Sequence, residues 1–124
     1  MSKEGRPLSP HLTIYRWPIT MLLSILHRIT GVALAVGLVA FVFWIEAIAF
    51  EAVPYDLFNE IMRSVIGQIA LLAWLLSFFF HLSNGIRHLI WDTGQMFEKH
   101  QADLSAWFVL VSAVVMTAGY WFVV

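Results

Sequence analysis

Ser64 to Ile86 reads SVIGQIALLAWLLSFFFHLSNGI, an unbroken run without Asp, Glu, Lys or Arg between Arg63 and Arg87. A helix that crosses a bilayer needs about 20 mostly apolar residues, so this run is long enough to span by itself. Two further stretches share its character. Leu104 to Val124 carries no charge, and Ile29 to Ile45 is charge-free between Arg28 and Glu46. The latter is short by itself, but Met21–Ser24 lead into it and Ala47–Phe50 follow it. The pattern predicts an all-α membrane protein with three transmembrane helices, near 21–50, 62–92 and 104–124. Strands do not fit: no segment alternates with period two, and three strands cannot close a barrel.

Composition agrees. Across 124 residues the hydrophobic fraction is 60% and the charged fraction 12%, with a mean hydropathy of +0.80. A soluble domain is about 25% charged, and so small a globule has too little interior to hide so many large apolar side chains. A disordered chain is excluded for the same reason. The net charge of −1 gives no basic patch for nucleic acid. With no cysteine, the chain has no disulfide, no thiolate-held cluster and no thioether-attached haem. Its five histidines remain as the main candidate metal or haem ligands.

Lys3, Arg6, Arg16 and Arg28 precede or open the first span, and Arg87 and Lys99 flank the loop between the second and third. The other loop holds only Arg63, beside Glu46, Glu51, Asp56 and Glu60. Positive residues favour the cytoplasmic side, so the N-terminus is expected inside and the C-terminus outside. His11, His27, His81, His88 and His100 then all fall on the inner half. Residues 1–20 carry Pro7 and Pro10, which block a regular helix. They are expected to form an inner-face arm anchored by Tyr15 and Trp17 at the interface, ahead of a transmembrane domain over 21–124. The first apolar run is too long for a signal peptide. No arginine-rich amphipathic segment precedes it, so a bacterial inner membrane is expected ahead of a mitochondrial one.

Two polar faces enter the membrane from that inner side. Ser24, His27, Arg28 and Gly31 recur at i, i+3, i+4 and i+7 on the first helix, and His81, Asn84, Gly85 and His88 do so on the second. Each set lies on one helical face. His81 precedes Asp92 by eleven residues, about 16 Å at 1.5 Å per residue, so it is the deepest ionisable group. Such a group is costly in lipid and by default functional. Three roles stay open for it at this point: haem ligand, proton relay, or hydrogen bond to a neighbouring helix. His27 and His88 read equally as interfacial residues. Arg28 and Arg87 either snorkel to headgroups or pair with anionic groups such as haem propionates. A low-spin b-type haem usually takes two axial ligands, and only His81 is deep enough here, so in the haem role the chain would supply half of such a site.

Arg6-Pro7-Leu8-Ser9-Pro10-His11-Leu12 and Ser24-Ile25-Leu26-His27-Arg28-Ile29-Thr30-Gly31 resemble the N-terminal signature of the cytochrome b subunit of succinate dehydrogenase. His81-Leu82-Ser83-Asn84-Gly85-Ile86-Arg87-His88-Leu89-Ile90-Trp91-Asp92 resembles that family's second signature. The resemblance spans the chain. It implies a membrane anchor of complex II that packs with a second small three-helix anchor subunit and holds a flavoprotein and an iron–sulfur protein at the membrane. It implies haem b between the two anchors, with His81 as axial ligand, the partner anchor supplying the other, and His27, Arg28 and His88 near the propionates. It places ubiquinone at Ser24 and Arg28. FAD and the iron–sulfur clusters belong to partner subunits, and no residue of this chain oxidises succinate. Asp92 is a candidate for proton delivery, beside its simpler reading as the end of a helix. A haem-free anchor and a small transporter or scaffold are the competing functions.

Overall fold

The computed structural model describes residues 14–50 and 55–123. It holds four helices in chain order: α1 (Ile19–Ala49), α2 (Tyr55–Arg63), α3 (Val65–Asp92) and α4 (Lys99–Val123). No strand occurs among the described residues. Helices α1, α3 and α4 are each long and apolar enough to cross a membrane. The all-α architecture with three spans follows directly from the charge-free runs.

Their ends are set by local chemistry. Pro18 sits extended before α1 and its carbonyl accepts the Met21 and Leu22 N–H groups, at 3.1 and 3.3 Å. The region expected as one helix from residue 62 is two helices. Ser64 adopts an extended conformation and its Oγ accepts the Gly67 N–H at 3.1 Å, which caps α3. Gly67 is buried where any Cβ would collide with the Ile61 carbonyl and the Met62 backbone, so only glycine lets α2 fold back this tightly. Helix α2 was not anticipated: its polar residues interrupt the apolar run. Its Phe58 ring stacks on Trp44 of α1 at 4.7 Å. Helix α4 begins at Lys99 rather than 104, because Lys99, His100 and Asp103 extend the helix beyond its charge-free stretch.

Helix α3 is central, packing on α4 and α1. The core is Leu23, Phe80, Ala106, Val109 and Ala113. On α4, Ala106, Val109, Ala113 and Thr117 form one buried face of small and medium side chains. Small residues let membrane helices approach closely where lipid removes the hydrophobic drive between them. Ser112 donates across this interface to Ser83 at 3.2 Å. Most other large apolar side chains point outward, Val32, Val36, Phe43 and Phe108 among them. Outward-facing aliphatic and aromatic surface on this scale requires lipid or protein around it. The chain is an integral membrane protein.

Candidate functional site

The two polar faces meet where α1 crosses α3. The rings of His27 and His81 stack with centroids 3.9 Å apart and planes 8° from parallel. His88 lies one further ring away, 5.2 Å from His27. Trp91 stands edge-on to His88 at 5.2 Å. A column of four rings thus runs from His81 toward the end of α3.

His81 is held by backbone as much as by side chains. Its Nδ1 lies 3.2 Å from the His27 carbonyl and 3.2 Å from the Thr30 hydroxyl oxygen. The Thr30 hydroxyl sits 2.8 Å from the Leu26 carbonyl and donates there. A carbonyl can only accept, and a hydroxyl with its one proton committed accepts too. Nδ1 therefore carries the proton and the lone pair belongs to Nε2. Nε2 has no hydrogen-bond partner among the described residues. An imidazole anchored through Nδ1–H with a bare Nε2 is the arrangement of a metal-ligating histidine and its outer support. The neighbouring glycine makes room: a Cβ at Gly31 would stand 3.0 Å from the His81 Cε1. At Gly85, one turn along α3, a Cβ would meet nothing within 4 Å. The α3 backbone one turn on from His81 is thus open on that side.

His27 Nδ1 is buried without a partner, which is costly for a polar atom and leaves it able to serve a polar substituent of such a group. Among the described residues no three His, Cys, Asp or Glu side chains converge on one point. A metal here would have to bring most of its own ligands, as the iron of a porphyrin does. These residues fit a haem with one ligand from this chain.

The other expected residues fall as follows. Ser24 is half-buried and Arg28 exposed, on the α1 face that carries His27. Neither makes a side-chain hydrogen bond among the described residues. Asp92 is the exposed last residue of α3, and its side chain makes no hydrogen bond there. His100 is exposed on the first turn of α4, and His11 lies outside the described residues.

Arg87 departs from the snorkelling reading. It is 4% exposed, packed between α3 and α4. Its Nε donates to Ser105 Oγ at 2.8 Å, Nη2 to the Ala102 carbonyl at 3.0 Å and Nη1 to Asn84 Oδ1 at 3.4 Å. The guanidinium also lies 3.9 Å above the Trp91 ring. Trp91 in turn donates Nε1–H to the Met96 carbonyl at 3.1 Å, in the loop where Met96 takes a φ of 62°. Thr30, Ser105 and Trp91 were not singled out from sequence. Thr30 stands three residues after His27, so helical spacing alone could have marked it.

Residues 2–120 match the model of the succinate dehydrogenase/fumarate reductase transmembrane subunit family. The succinate dehydrogenase cytochrome b556 subunit of Rickettsia typhi is 39% identical over 116 residues, covering 94% of this chain and 90% of the relative. That of Paracoccus denitrificans is 35% identical over 116 residues, covering 94% and 89%. The human mitochondrial cytochrome b560 subunit is 37% identical over 121 residues, covering 94% and 70%. A match of this length and identity, over a fold with three spans, leaves one conclusion: the chain belongs to the family of succinate dehydrogenase/fumarate reductase transmembrane subunits.

Proposed function

We propose that this chain is the haem b-bearing membrane anchor of a succinate:ubiquinone oxidoreductase, with His81 as the axial ligand it contributes. The observation that carries the reading is the pair of acceptors on Nδ1 of His81, which leaves Nε2 as a lone-pair donor. The relatives' cytochrome b names support it. His27 and His88 flank the ligand on the propionate side, and Arg28 extends that polar edge. The second axial ligand comes from another small anchor subunit, seated on the outward-facing surface of α1 and α3. A bound haem supplies a one-electron carrier in the low-dielectric interior.

Ser24 and Arg28 are the quinone residues. A quinone gains two electrons and two protons, and its carbonyl oxygens grow negative on the way. The Ser24 hydroxyl donates a hydrogen bond to one carbonyl, and the Arg28 guanidinium stabilises the developing charge where water is scarce. Asp92, exposed at the end of α3, is the candidate that passes protons from water. Succinate is oxidised on the flavoprotein, and the iron–sulfur subunit hands electrons to this end of the bundle. The N-terminus and the α3–α4 loop face the cytoplasm of a bacterial cell.

The test is affinity purification of the complex in mild detergent, followed by pyridine-haemochrome spectra and two variants. Flavoprotein, iron–sulfur protein, a second small anchor and b-type bands are expected. His81→Tyr removes or shifts those bands. Arg28→Leu slows quinone reduction and spares electron transfer from succinate to a soluble dye. Absence of b-type bands leaves a haem-free anchor, and absence of quinone reductase activity leaves a scaffold or transporter.

A further inference from the structure

We infer that Thr30 is a positioning residue for the axial ligand: its hydroxyl, with the His27 carbonyl, fixes the tautomer of His81 and sets how strongly Nε2 donates. The inference rests on the haem reading above and adds to it a residue that acts through His81.

Thr30 Oγ1 has one proton and three polar neighbours: the Leu26 carbonyl at 2.8 Å, the His27 carbonyl at 3.1 Å and His81 Nδ1 at 3.2 Å. The proton goes to a carbonyl, because both carbonyls are closer and neither can donate. The oxygen lone pair then faces Nδ1. The His27 carbonyl, also 3.2 Å from Nδ1, repels any lone pair placed there. Two acceptors on one N–H pull electron density toward the ring, which raises the basicity of the distal nitrogen. A more basic imidazole favours ferric over ferrous iron. The α1 backbone beside Gly31 closes the third side, since His81 Cε1 lies 3.0 Å from where a Cβ would stand. The ring cannot flip without leaving the Thr30 oxygen.

Replacing Thr30 by Val keeps the shape and removes the acceptor. Thr30→Ala removes it without added bulk, and Thr30→Ser restores it. The experiment is a redox titration of the haem in the intact purified complex, with low-temperature electron paramagnetic resonance of the ferric state. For both Val and Ala variants the midpoint potential is expected to rise and the ferric g-values to shift, with the haem content retained or partly lost. The Ser variant is expected to return both to wild type. Unchanged potential and g-values in the Val and Ala variants overturn the inference. So does failure of both to assemble while Ser assembles, which would make Thr30 a packing residue. If the wild-type complex itself shows no b-type haem, the haem reading has failed; wild-type haem with inert variants sinks only the role of Thr30.

Discussion

Replacing Arg87 by Leu separates an arginine that reaches the lipid surface from one that joins two helices. If it snorkelled, the change would cost little, since Leu is at home in lipid. The structure buries it instead, with two short charge-assisted hydrogen bonds to Ser105 and Ala102 and a long one to Asn84. In water-exposed folds such bonds are worth about 1.5–3 kcal/mol each. Between membrane helices the measured couplings average about 0.6 kcal/mol with a maximum near 1.7, because the separated helices also find partners. Two bonds therefore give about 1–3 kcal/mol. Leu also strips the donor from Oδ1 of Asn84, a fully buried residue whose Nδ2 already lacks a partner; that adds about 1–3 kcal/mol. Relief of guanidinium desolvation takes part of this back. The net expected loss is about 2–3 kcal/mol, or roughly 30- to 140-fold in the equilibrium at about 1.4 kcal/mol per tenfold. The assay is SDS titration of the purified complex in mild detergent, read by loss of the native assembly. Val111→Ala, on the exposed face of α4, serves as the control. A double-mutant cycle with Ser105→Ala should give a coupling near 1 kcal/mol. If Arg87→Leu proves no more damaging than the control and the coupling is zero, the buried-clamp reasoning is wrong.

Gly31→Ala pushes a methyl to 3.0 Å from His81 Cε1, so the ring must shift by a few tenths of an ångström; reduced haem content or a displaced Soret band is expected by absorption spectroscopy. Ser64→Ala removes the cap of α3 and is expected to destabilise by about 1 kcal/mol, measured by the same SDS titration, with haem spectra unchanged because the cap lies at the opposite end of α3 from His88.

The spans were legible because absence of charge over twenty residues has one structural solution in lipid. Both histidine faces were legible for the same kind of reason: helical spacing puts His27 with Arg28 and His81 with His88 whatever else the chain does. The α2–α3 break was not, since Ser64 and Gly67 signal a turn only when Ile61 is known to sit against them. The role of Arg87 was hidden more deeply. Both sequence readings placed its charge at the headgroups or on a propionate, and only the position of α4 shows that neutral Ser105 and the Ala102 carbonyl receive it. Thr30 escaped because its function depends on an acceptor count around a residue fifty-one positions away.

The guanidinium stored between α3 and α4 bears on how the polypeptide is made. An arginine in a nascent span opposes its release from the translocon into the bilayer, by up to about 2.5–3.5 kcal/mol at mid-depth and less toward the ends. The groups that relieve this opposition sit on the first turns of the following helix, just past a six-residue connection from Thr93 to Glu98. The last two spans are thus matched to enter as a hairpin, and shortening synthesis after α3 would leave that segment prone to slipping back.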